Sequence, residues 1–111
     1  MRIIDTGITK EILSGDNHPQ LKIGDKLYTV DDRQSTWDKI QSVQTNQELS
    51  NNEKTDKIYE LALGIDSARE IKEMDLPVEN SIYLTFCVIG AITGDDPKEL
   101  QKRAKEQVGK N

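Results

Sequence analysis

GIDSAREIKEMDLPVENSIYLTFCVIGAITG, residues 64–94, holds the chain's densest run of apolar side chains, and its second half has two readings. The segment IYLTFCVIGAI is rich in β-branched and aromatic residues, which by local propensity suits a buried strand. Its flanks favour a helix. Asp75-Leu76-Pro77 followed by Glu79 is a helix start, because proline has no N–H to lose in the first turn and an acidic group suits the positive end of the dipole. The uninterrupted span 77–93 also exceeds ordinary strand length. The expected helix carries Val78, Ile82, Phe86 and Ile89 on one face and closes at Gly94. It is apolar nearly all round, so neighbours must cover it on several sides or part of it contacts another chain. A shorter helix precedes it from Asp66 or Ser67, with Ser67 and Glu70 as a capping pair and Ala68, Ile71 and Met74 as its apolar edge.

Working upstream, Ile58, Leu61 and Ala62 share one helical stripe that stops at Gly64, a C′ glycine suited to the left-handed conformation. Before it, Ser35 and Asp38 form a capping-box-like pair for a helix carrying Trp37, Ile40 and Val43, which fades near Leu49. The polar stretch 42–54, SVQTNQELSNNEK, reads as a mobile connection. Residues 20–30, QLKIGDKLYTV, place two alternating runs around Gly24-Asp25, the signal of a two-residue hairpin with glycine first. Further strands near residues 2–4 and 11–13 would enlarge the sheet. Downstream, Asp96 caps a last helix whose thin stripe is Leu100, Ala104 and Val108.

The expected fold is α+β and predominantly α: a small N-terminal antiparallel β-hairpin or sheet followed by a bundle of four to five helices. We read residues 1–111 as one domain, with a polar segment at 1–19, the hairpin at 20–32, the helical core at 33–94 and a peripheral helix at 95–111. Only 34% of the 111 residues are hydrophobic, which permits a modest core that self-association would help. The net charge of -5 argues against a general nucleic-acid binder. Five basic residues (Lys98, Lys102, Arg103, Lys105, Lys110) against two acidic ones at the C-terminal end suit a solvated helix face. The longest apolar run falls far short of a bilayer span and no signal-peptide stretch opens the chain, so the expectation is a protein of the cytoplasm with no membrane contact. Cys87, the lone cysteine, sits among apolar neighbours as a packing residue in a reducing compartment.

Chemical groups are sparse. Asp5-Thr6-Gly7 matches the catalytic triplet of aspartic proteases, and Val88-Ile89-Gly90 resembles their hydrophobic-hydrophobic-glycine element, leaving a small protease as a remote alternative. The context fails, since only four residues precede Asp5 and the intervening chain has helix caps where that fold needs strands. His18, the single histidine, lies in a loop by composition and reads as a solvent-exposed residue. One Cys and one His give no zinc spacing, and neither Asp31-Asp32 nor Asp95-Asp96 has the regular loop of a calcium site. No catalytic, cofactor-binding or metal-binding residue is assigned. Tyr28 and Trp37 serve core packing between hairpin and helix better than partner anchoring. The candidate partner-binding residues are Ile82, Tyr83, Phe86, Ile89 and Gly90: the stripe of Ile82, Phe86 and Ile89 is mostly core, while the side of Tyr83, Cys87 and Gly90 is left for a neighbour.

The order Leu61-Ala62-Leu63-Gly64, Ile71-Lys72-Glu73-Met74, Asp75-Leu76-Pro77 and Ala91-Ile92-Thr93-Gly94 resembles the tail assembly chaperones of long-tailed bacteriophages that infect Gram-positive hosts. The likeness spans residues 61–94 well and the rest in general layout, through hydrophobic pattern and turn residues. It implies a non-enzymatic protein that binds the tape measure protein, shields its apolar helices, helps recruit tail tube subunits, self-associates, and works in the host cytoplasm without entering the mature virion. It also implies a longer frameshifted product. This chain departs from the pattern in its long polar segment 1–19 and in Thr85 and Cys87. The alternative is a structural tail or head-tail adaptor protein of a phage or prophage.

Overall fold

A computed structural model of the chain describes residues 1–15 and 17–109, with side chains as far as residue 106. The elements run α1 (Lys10–Ser14), β1 (Gln20–Ile23), β2 (Lys26–Thr29), α2 (Gln34–Gln44), α3 (Asn51–Leu63), α4 (Ile65–Glu73), α5 (Val78–Thr93) and α6 (Pro97–Gly109). The mainly helical α+β class and the hairpin are as the sequence indicates, with five helices after the hairpin. Asp16 and Lys110 lie outside the described residues, and Val108, expected on the stripe of α6, lies outside the described side chains.

The hairpin forms because Gly24 takes φ 62 while Asp25 keeps a negative φ, the pattern of a type II′ turn. Leu21 then pairs with Tyr28 and Ile23 with Lys26. The Val30 N–H donates to Pro19 O at 2.9 Å and prolongs the pairing, and the Asp31 N–H donates to Ala62 O at 2.8 Å, joining the hairpin to the end of α3. The further strands do not form. The sheet has two strands, residues 1–9 carry no regular element, and Glu11, Ile12 and Leu13 are helical. Local caps account for this: Thr9 Oγ1 accepts the Ile12 N–H at 3.3 Å, and Gly15 closes the turn at φ 77.

Two capping pairs read from the sequence are not used as caps. Ser35 and Asp38 both lie inside α2, and Asp38 accepts from Gln34 Nε2 at 2.8 Å. Asp31 serves that end of the helix instead, accepting from the Arg33 N–H and from Thr36 Oγ1. Ser67 lies inside α4, and Glu70 spends its carboxylate on β2, accepting from Lys26 Nζ and from the Tyr28 hydroxyl, each at 2.7 Å. Those hydrogen bonds hold the Glu70 carboxyl below its ordinary range, Lys26 first and Tyr28 second, and the bond to Glu70 raises Lys26. The stretch 42–54 is also better tied than its polarity suggested. Here α2 ends at Gln44, a reciprocal capping box joins Ser50 and Glu53, and Lys54 Nζ donates to Gln44 O at 3.0 Å.

Gly64 ends α3 and caps α4 at φ 91, ψ 157. It is therefore not in the left-handed helical region expected for it, but in extended backbone of positive φ that is essentially glycine-only. Asp75 at φ 50 turns the chain into Leu76 and Pro77, and α5 closes on left-handed Gly94 at φ 85. The apolar segment is a helix. Its core face is a different one from the expected stripe: Leu84 and Val88 are buried, whereas Val78 is 75% and Ile82 50% exposed. The core packs the Tyr28–Val30 end of the hairpin, Ile40 of α2, Ile58 and Ala62 of α3 and Ile71 of α4 around them. With α5 lying across β1 and α3, its inward arc is centred on Leu84–Val88, and the sequence, apolar all round, carried no mark of that rotation. No helix among the described residues is long and apolar enough to cross a membrane.

A candidate helix-binding groove between α3, α4 and α5

The turn at Asp75 sets α4 and α5 apart, and a groove of about 530 Å³ opens between them over α3. Its floor is polar and internally satisfied. Tyr59, 8% exposed, reaches from α3 so that its hydroxyl lies 3.0 Å from Thr85 Oγ1 and donates to Ser81 O at 3.4 Å. Burial pushes the Tyr59 phenol up, so it stays neutral across the physiological range. At one end Lys72 Nζ donates to Asp56 at 3.1 Å, an exposed pair that closes the groove without adding a free charge.

The walls mix polar and apolar side chains, with Asn52, Thr55 and Asp75 beside the apolar ones. Ile71 and Leu76 line one side, and Val78 and Ile82 stand at the lip, largely uncovered. The exposed apolar groups can desolvate a partner, and among the described residues no three His, Cys, Asp or Glu side chains gather as metal ligands.

The expected partner residues are therefore split. Ile82 lines the groove, and Tyr83, Phe86 and Ile89 are half-buried around α5. Gly90 is buried, and its missing Cβ serves the chain itself: a Cβ there would lie 2.6 Å from Asp95 O and 3.2 Å from Pro97 Cγ. Thus α6 occupies the Gly90 side of α5, the side expected to be left for a neighbour. Cys87 is half-buried as a packing residue, its thiol pushed up by burial.

Tyr28 is 2% exposed, and Trp37 packs half-buried against the core, so both aromatics are packing residues. His18 is more constrained than a free loop histidine, with Nδ1 2.7 Å from Asp32 Oδ1 and about a quarter of its side chain exposed. Asp5 is exposed and turned to its own backbone, accepting the Gly7 N–H at 2.9 Å. Asp96 accepts the Lys98 N–H at 2.9 Å, as expected of a cap. Sequence reading missed Val78 as a lip residue and Tyr59 with Thr85 as the floor, since neither follows from the periodicity of one helix. It also passed over the exposed isoleucines of residues 1–13, although Ile4, Ile8 and Ile12 recur every four residues. No family model, curated protein or solved structure matches the chain.

Proposed function

We propose that the chain is a non-enzymatic tail assembly chaperone of a bacteriophage or prophage, and that it binds apolar helices of the tape measure protein in the groove beside α5. The single observation that carries this reading is the pair Val78 and Ile82, held exposed at the lip of a groove of mixed polar and apolar lining on a chain of net charge -5. An amphipathic helix laid in such a groove buries its apolar side while the acidic body keeps the complex in solution. The resemblance over residues 61–94 supplies the identity of the client, and tail tube subunits are a further partner of the same kind. Work of this type is done in the host cytoplasm and is finished before the virion matures.

Co-expression with a phage tape measure protein, followed by affinity capture of this chain, tests the reading. Retention of the tape measure protein is expected. Its loss from the captured fraction under conditions where both proteins stay soluble would overturn the proposal.

A further inference from the structure

A second cavity, of about 220 Å³, lies between the end of α1 and the start of α2, lined by Ile12, Gly15, Asn17, His18, Asp32 and Arg33. None of these residues lines the groove beside α5. Gly15 ends α1 in the left-handed region at φ 77 and presents no side chain. Two nitrogens reach toward the place a Cβ would take there: Arg33 Nη2 at 2.8 Å and His18 Nε2 at 2.9 Å from it. A guanidinium and an imidazole thus converge over one bare stretch of backbone.

The imidazole is oriented by its other nitrogen. Nδ1 lies 2.7 Å from Asp32 Oδ1, and because an ionised carboxylate only accepts, Nδ1 keeps its proton and Nε2 is the nitrogen left for a ligand. The Arg33 guanidinium is in no ion pair and makes no side-chain hydrogen bond among the described residues. Its neighbouring acid is engaged elsewhere, since Asp31 accepts the Arg33 N–H at 3.1 Å and the Thr36 hydroxyl at 2.7 Å. The charged groups lining the cavity are therefore Arg33, open to a ligand, and Asp32, bonded to the far side of the His18 ring.

We propose that this cavity binds a phosphate group, free or at the head of a small monoester. The proposal stands apart from the client groove. With Nδ1–H held by Asp32, the neutral ring offers an acceptor at Nε2, and Arg33 beside it offers charge-assisted donors. The matching ligand is an anion that also carries an O–H. A phosphate monoanion is such a group: its charged oxygens accept from Arg33, and its own hydroxyl donates to Nε2. A carboxylate or a sulfate accepts only, and leaves the neutral ring without a partner. Ile12, 56% exposed, borders the same cavity and gives an ester's carbon an apolar wall.

His18 is the chain's only histidine, so its ring signals in a proton–carbon NMR correlation spectrum report on this site alone. The full chain is titrated at neutral pH with inorganic phosphate, phenyl phosphate or sulfate, the ionic strength being held constant with sodium chloride. A saturating shift of the His18 signals is expected with either phosphate, at a dissociation constant of about 1 mM or below. Sulfate should act at least about tenfold more weakly. Arg33→Gln changes an exposed side chain, so the melting temperature should hold while phosphate binding weakens at least about tenfold. Tighter binding of phenyl phosphate that Ile12→Ala removes would assign the monoester, and equal affinity would assign phosphate itself. A shift that does not saturate, one that saturates equally in Arg33→Gln, or one that sulfate reproduces at the same concentration would each overturn the site.

Discussion

Replacing Gly90 with alanine separates an internal role for this residue from an intermolecular one. In the middle of a helix the change alone should stabilise by about 1 kcal/mol, because alanine loses less backbone freedom on folding. Here the new Cβ would lie 2.6 Å from Asp95 O, with Pro97 Cγ and Cδ at 3.2 and 3.3 Å. The obstacle is backbone, so the start of α6 must retreat by several tenths of an ångström. That turn is held by Thr93 Oγ1 donating to Asp95 Oδ2 at 3.0 Å and by the Asp96 cap on Lys98. Forced overpacking of this kind costs about 1–3 kcal/mol, which outweighs the propensity gain and leaves a net loss of about 1 kcal/mol. For a chain of this size the melting temperature falls by roughly 4 °C, read by circular dichroism at 222 nm. Client capture should be unchanged. A melting temperature equal to or above that of the unmodified protein would refute the packing argument, and a variant of unchanged stability that no longer binds a partner would return Gly90 to the interface.

Ile40, fully buried, should cost about 2–5 kcal/mol when cut to alanine, whereas Val78→Ala at the exposed lip should change stability by under about 0.5 kcal/mol; denaturant titration compares the two. Ser50→Ala removes one half of the capping box and should destabilise by about 1 kcal/mol in the same assay. The lowered Glu70 carboxyl contributes stability that is present above its unfolded value near 4.5 and lost as pH falls through the lower folded value, so Glu70→Gln should flatten the loss of stability below pH 4.5. Lys26 is raised, so its share persists below 10.5 and is lost as pH climbs past its folded value; an acid limb equally steep in Glu70→Gln and the unmodified protein would contradict the contact.

Punctuation was more legible in this chain than orientation. Gly24, Pro77 and Gly94 each impose a backbone constraint that no neighbour is needed to explain, and the hairpin and α5 follow from them. The caps were less transparent, because serine with an acidic residue three positions on is also compatible with a helix interior: of three such pairs, Ser50–Glu53 forms the box while Ser35–Asp38 and Ser67–Glu70 do not. Glu70 shows the reason, as its partners Lys26 and Tyr28 stand more than forty residues away in sequence. The groove was half legible. Ile82 marked it, but its floor joins Tyr59 to Thr85 across two helices, and which arc of α5 faces inward was settled by β1, α3 and α6 together.

The most direct measurement is the affinity of the full chain for tape measure segments by isothermal titration calorimetry, with the unmodified protein beside Val78→Glu and Ile82→Glu. Both positions are at least half exposed, so the variants should keep the melting temperature of the unmodified protein. The expected result is binding that weakens by at least about tenfold in each, as a charge is placed where an apolar helix must be desolvated. Binding of undiminished affinity in both variants would contradict the placement of the client in this groove.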